Sequence, residues 1–265
     1  MKSSMFVVLL ALGACDRPKP SPPLEASPPV TPRPSPAELP TDAATTRDAS
    51  AAPDGKVTFD DETVGGPPAA FEAVVGDWSI GQADGATGLK VDGGRWRDGT
   101  PSANLADQAK RLYGDRYAEF LDGVKAFAFF PLAIKRELPP SGDLRIAVRF
   151  YPVAGKIDQA AGIAFNVASD GSYFGVRANA LEDNILYFTV VKGKRTVLDT
   201  VRNVPTPTRS WHKLVVELRG KQLTVFLDEA KRFEKTLPVV PTGHVGLWSK
   251  ADSQVLFDDF EIAKL

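Results

Sequence analysis

Period-two alternation dominates the chain from about Val57 onward. Leu144-Arg145-Ile146-Ala147-Val148-Arg149-Phe150 places Leu, Ile, Val and Phe on one face and two arginines on the other. The same rhythm runs through Ile163, Phe165 and Val167, then Phe174, Val176 and Ala178, then Leu186, Phe188 and Val190. It continues through Leu214, Val216 and Leu218 and through Leu223, Val225 and Leu227. Successive side chains of a strand point to opposite sides, so each run predicts a strand with one buried face. Turn formers separate the runs at Ser169-Asp170-Gly171-Ser172, Lys192-Gly193-Lys194 and Arg219-Gly220-Lys221. Strands of this kind joined by short turns bury their apolar faces by packing two antiparallel sheets against each other.

Both ends of the patterned region carry an aromatic-acidic signature, Phe59-Asp60-Asp61 and Phe257-Asp258-Asp259-Phe260. First and last strands lie side by side in jelly rolls, so the echo predicts an all-β, two-sheet antiparallel jelly-roll sandwich over residues 57–265. One segment breaks the rhythm. Leu105, Ala109, Leu112, Tyr113, Tyr117, Phe120 and Leu121 recur at three- and four-residue spacing, with Asn104 or Ser102 as a cap. They predict a helical insertion over 104–122. The apolar run Ala126 to Ile134 behind it reads as a buried strand.

The N-terminus has a different logic. Met-Lys-Ser-Ser precedes an apolar stretch from Met5 to Leu12, then Gly13-Ala14-Cys15, the pattern of a secretory signal peptide too short to span a bilayer. Leu12-Gly13-Ala14-Cys15 resembles a bacterial lipobox, which implies removal of residues 1–14 and lipid on Cys15, the only cysteine. Asp16 resembles the inner-membrane retention signal of enteric bacteria, a rule that differs in other lineages, so inner and outer membrane both stay open. Residues 15–56 hold half of the chain's 22 prolines. Proline blocks helix and ladder alike, and few apolar side chains offset the ordering entropy. This predicts a Pro-rich tether reaching ~120 Å, at about 3.1 Å per residue. The expected location is the bacterial cell envelope, lipid-anchored and facing periplasm or exterior.

A net charge of −1 and the lack of a basic block argue against nucleic acid as a partner. His212 and His244 are the only histidines, no phosphate loop occurs and no Gly-x-Ser-x-Gly nucleophile motif occurs. The stretches Gly171-Ser172-Tyr173-Phe174-Gly175-Val176-Arg177-Ala178-Asn179, Trp211-His212 and Gly243-His244-Val245-Gly246-Leu247-Trp248-Ser249-Lys250 resemble the 3-keto-disaccharide hydrolase domain family. That resemblance implies the concanavalin A-like lectin/glucanase fold and, by the family's name, glycoside hydrolysis. The Glu-x-Asp-x-x-Glu catalytic strand of laminarinase-type enzymes is absent.

Parity picks the candidate residues. Tyr173, Gly175, Arg177 and Asn179 share the non-core side of their strand, and the same side is expected to offer Arg145, Arg149, Asn166 and Tyr187. An aromatic ring for the apolar face of a sugar, with Arg and Asn as fixed donors for its hydroxyls, is what carbohydrate recognition needs. A solvated face with cross-strand Tyr–Arg packing is the plainer reading of the same residues. Glu182 and Asp183, in the turn that follows, are the carboxyl candidates for acid–base work, against ordinary turn chemistry. Asp60, Asp61, Asp258 and Asp259 would converge if the terminal strands pair, a Ca²⁺-like set, against solvated aspartates that blunt an edge. No other cofactor is expected. Trp78, Trp96, Trp211 and Trp248 read as packing anchors. The functional expectation is a carbohydrate-binding jelly roll meeting carbohydrate or cell-wall glycan. The alternatives are a glycoside hydrolase acting on 3-keto-disaccharides or related glycosides, and an envelope scaffold for other proteins.

Overall fold

Alternation does set the architecture. A computed structural model describes residues 55–94, 130–191 and 193–265. Five strands open the chain: β1 (Lys56–Val57), β2 (Phe71–Val75), β3 (Trp78–Ala83), β4 (Ala86–Asp92) and β5 (Leu132–Lys135). Next come β6 (Leu144–Ala154), β7 (Ala160–Val167), β8 (Tyr173–Asn179), β9 (Asn184–Val191) and β10 (Lys194–Arg202). The last five are β11 (His212–Arg219), β12 (Gln222–Leu227), β13 (Ala230–Thr236), β14 (His244–Ser249) and β15 (Gln254–Lys264). They form two antiparallel sheets. Sheet A has the order β13-β12-β11-β6-β15-β4-β3, with β1 also on β15; sheet B has the order β10-β9-β8-β7-β14-β5-β2. This is the all-β jelly-roll sandwich the pattern predicts.

The inner faces meet in one apolar core. Ile146, Val148 and Phe150 of β6 and Val216 of β11 face Ile163, Phe165 and Val176 from sheet B. The terminal echo is realised too: β1 pairs with β15 through Lys56↔Glu261 and Val57↔Phe260. Phe59, Phe71 and Phe260 fill the core beneath that pairing, with the Phe71 and Phe260 rings edge-to-face at 5.1 Å.

Strand β9 departs from the expected parity. Ile185 and Tyr187 enter the sandwich core, whereas Leu186, Phe188 and Val190 belong to a second apolar cluster with Tyr173, Leu132, Ile134 and Trp248. The β8–β9 register fixes this, because Val176 pairs with Tyr187 and Gly175 with Phe188. Sheet B is therefore apolar on both faces, and a strand apolar on both faces carries no usable alternation. The signal peptide, Cys15, the tether, Trp96, the 104–122 insertion and residues 126–129 of the expected strand lie outside the described residues.

Candidate functional site

The Tyr173 face of sheet B is outward of the sandwich core, as parity requires, but it is not free. Tyr173 is 2% exposed, Arg177 1% and Asn179 0%. Trp248 Nε1 donates to Tyr173 Oη at 3.0 Å, and the Trp248 ring lies 4.9 Å from Phe188. A Cβ at Gly175 would sit 2.3 Å from Phe188 Cζ, so Gly175 exists to let that ring lie flat on the sheet. Arg195 covers the outer side, its Cζ 4.9 Å from the Phe130 centroid and 5.7 Å from that of Phe188.

Arg177 and Asn179 serve the same closed layer. Arg177 donates to Asn184 Oδ1 and Glu182 Oε2, both at 2.5 Å. Burial pushes the Arg177 guanidinium down, and Glu182 pulls it partly back. Asn179 Nδ2 donates to Asp158 Oδ1 at 2.6 Å, and Asp158 also holds Lys250 Nζ at 2.7 Å. Asp252 accepts from the backbone N–H groups of Lys156, Ile157 and Asp158, closing the adjoining loop. This is a buried polar brace at one end of sheet B.

The two carboxyl candidates belong to that brace. Burial pushes the Glu182 carboxyl up, but the bond and charge of Arg177, with help from Asn184, leave it below the usual range. Asp183 is left-handed at φ 45° and accepts from Thr206 N at 3.2 Å. Asp170, the nearest earlier acid, lies before β8 and accepts from Ser172 N, while Glu182 follows the far end of that strand. Seven strand residues, about 23 Å at ~3.3 Å each, separate the two ends.

The remaining candidates scatter. Tyr187 lies in the sandwich core at 4% exposure, its hydroxyl pushed up to about 12 by burial, so it leaves the ligand set. Asn166 adopts φ 53° at a register shift between β7 and β14 and accepts from Thr242 N and Gly243 N, a structural role. Arg145 and Arg149 are on β6 and therefore on the outer face of sheet A, not beside Tyr173. Asp60 lies near enough to Asp258 for its charge to act on it. Asp259 is committed to Lys56 Nζ at 2.7 Å and Arg149 Nη1 at 3.2 Å. Among the described residues no group of three His, Cys, Asp or Glu is arranged to hold a metal.

The outer face of sheet A has a different character, since it is open and polar. Arg149 lays its guanidinium 4.3 Å above the half-buried Trp211 ring, and Tyr151 packs against that ring at 5.4 Å. Trp211 Nε1 donates to Asp84 Oδ2 at 3.0 Å. Indole and guanidinium are thus held rigidly, the stack itself worth about 0.5–1 kcal/mol at an exposed site. Beside them opens a cavity of ≈390 Å³, lined by Arg149, Trp211, His212, Lys213, Asp228 and Glu229.

Asp228 and Glu229 form the two-residue turn between β12 and β13, at φ 50° and 65°. A hairpin turn of this geometry favours Asn-Gly, and two ordinary residues there hold the backbone under strain. Asp228 uses its carboxylate on His212 Nδ1 at 2.8 Å and Lys213 N at 2.8 Å. His212 Nε2 lies 3.0 Å from Pro207 O. Burial pushes Asp259 up, but hydrogen bonds from Lys56 and Arg149 outweigh it and hold the carboxyl low.

No protein-family description matches the chain, and no curated protein matches it. Solved structures do. This chain is similar in fold to a carbohydrate-binding module. That protein, CBM66 from Bacillus subtilis, matches with a TM-score of 0.52 at 13% identity, over 74% of this chain and 96% of the module. A galectin-like protein of unknown function from Bacillus subtilis matches at 0.49 and 10% identity, over 73% and 89% of the two chains. A β-glucanase from Bacillus licheniformis matches at 0.41 and 11% identity, over 51% and 71%. At such identities the first match shows the lectin-type sandwich and nothing finer.

Sequence reasoning reached Arg149 but missed Lys213, Glu217, Phe226 and Glu229, and read Trp211 as an anchor. The first two were legible as polar positions of opposite parity to Leu214, Val216 and Leu218. Nothing in the sequence told which sheet those strands would join.

Proposed function

We propose that this chain is a carbohydrate-binding module of the bacterial cell envelope, held to its membrane by lipid on Cys15 and a Pro-rich tether. Its ligand lies on the outer face of sheet A. The observation that carries this reading is the rigid Arg149–Trp211 stack at the wall of an open ≈390 Å³ cavity rimmed by Lys213, Asp228 and Glu229. Sugars present apolar C–H faces and a rim of hydroxyls, and planar groups already held in place by their neighbours meet both while losing little rotamer freedom on binding. The fold match to a carbohydrate-binding module supports the same reading. So does the engagement of Glu182 and Asp183 in structural hydrogen bonds, which argues against a hydrolytic pair there.

Isothermal titration of the purified chain against soluble polysaccharides and peptidoglycan fragments tests it. Saturable binding is expected, with Trp211→Ala and Arg149→Gln each weakening it at least tenfold. Absence of binding across the panel, or binding that both variants retain in full, sinks the proposal.

A further inference from the structure

The cavity beside Trp211 does not end at Lys213. A second depression of ≈240 Å³ is lined by Arg145, Lys213, Val215, Glu217, Phe226 and Glu229. The two share Lys213 and Glu229 and so form one trough.

Strand register explains its shape. Three rungs cross β6 and β11 on the outer face: Arg149↔Lys213, Ala147↔Val215 and Arg145↔Glu217. The outer two carry long charged side chains. The middle one carries a methyl and an isopropyl group, both buried flush with the sheet. Val215 pairs onward with Phe226 of β12, which is half-buried. Ala147 is 0% and Val215 5% exposed, so the apolar surface this face offers a ligand is the half-buried Phe226 ring, one strand spacing from Val215. Arg145 and Glu217 wall one side, with Arg145 fixed by Glu261 at 3.4 Å. Lys213 and the strained Glu229 stand on the other, toward Trp211 and shared by both depressions. Among the described residues neither the Lys213 ammonium nor the Glu229 carboxylate has an ion-pair partner.

The geometry points to an extended, linear oligosaccharide as the ligand, read by two adjoining subsites rather than as a single terminal sugar. This rests on the carbohydrate reading above. One ring sits against the Arg149–Trp211 stack. The next lies with its C–H face on the Phe226 ring, its hydroxyls reaching Arg145 and Glu217. Lys213 donates to, and Glu229 accepts from, hydroxyls flanking the linkage between the rings. With no ion-pair partner among the described residues, Lys213 and Glu229 fit that task, because no internal bond must break first.

The test is a chain-length series by isothermal titration, using mono- to tetrasaccharides prepared from the best-binding polysaccharide of the panel. Affinity is expected to rise at least tenfold from mono- to tetrasaccharide. Phe226→Ala should lose about tenfold on the tetrasaccharide, the worth of one aromatic contact, and almost nothing on the monosaccharide. Trp211→Ala should weaken every length. Equal affinity for all lengths, or a Phe226→Ala loss independent of length, overturns the two-subsite inference while leaving the carbohydrate reading intact. A panel that binds nowhere overturns both. Thermal melts of each variant separate a lost contact from a lost fold, and Phe226→Leu supplies a second variant if Phe226→Ala melts early.

Discussion

Removing Glu182 should unfold the protein more readily without touching its ligand. The Arg177 side chain is 1% exposed and its partner Glu182 40% exposed. Deleting one partner of a buried pair leaves the other charge desolvated, which typically costs about 3–5 kcal/mol. Asn184 still accepts from Arg177, the Asp158 charge still acts on it and Glu182 is itself 40% exposed, so the cost falls below that range, about 2–3 kcal/mol for Glu182→Ala. For a domain of this size that lowers Tm by roughly 4–12 °C. Arg177→Met with Glu182→Gln removes both charges and should recover most of the loss, since buried pairs are often replaceable by apolar groups. Urea denaturation followed by tryptophan fluorescence, with scanning calorimetry, measures each variant. A Glu182→Ala cost below about 0.5 kcal/mol, or a double variant worse than the sum of its singles, refutes the reasoning. Glycan affinity should be unchanged throughout.

Three further outcomes follow from the same geometry. Glu229→Gly relieves a left-handed residue, so it should stabilise by about 1 kcal/mol in calorimetry while weakening glycan binding severalfold; destabilisation would contradict the assigned strain. Burial, and then the charges of Asp259 and Asp60, push the Asp258 carboxyl up, so the ionised form opposes folding at neutral pH and the protonated form does not. Asp258→Asn, which keeps the acceptor for Asp259 N, should therefore raise Tm at pH 7 and lose that gain below the ordinary carboxylate range; a gain that grows on acidification reverses the sign. Cys15→Ser should move the chain from the membrane to the soluble fraction and abolish palmitate labelling, and retention at the membrane would remove the anchor.

The sandwich was legible wherever one strand face is oily and the other wet. Strand β6 shows this best, with Leu144, Ile146, Val148 and Phe150 inside and two arginines outside. Edge strands β10 and β13 were not legible, because Lys194–Arg202 and Ala230–Thr236 expose much of both faces and need no alternation. The Asp84-Gly85 hairpin between β3 and β4 was missed although both residues take φ above 50°, a turn signal the sequence does carry. Strand β9 misled for the opposite reason, since Leu186, Tyr187 and Phe188 offer bulk to both sides. The same cause displaced the site: Tyr173 was outward but beneath a second apolar layer. Arg149 and Trp211 meet only through pairing that brings β6 beside β11, and pairing order is not a local property of either strand.

Carboxyl footprinting with a water-soluble carbodiimide, read by mass spectrometry with and without saturating polysaccharide, asks directly which face holds the ligand. Protection of Glu229 and Glu217 with unchanged labelling of Glu182 and Asp183 is the predicted result. Protection at Glu182 with Glu229 still fully labelled would contradict it, and would return the ligand to the Tyr173 side of the sandwich.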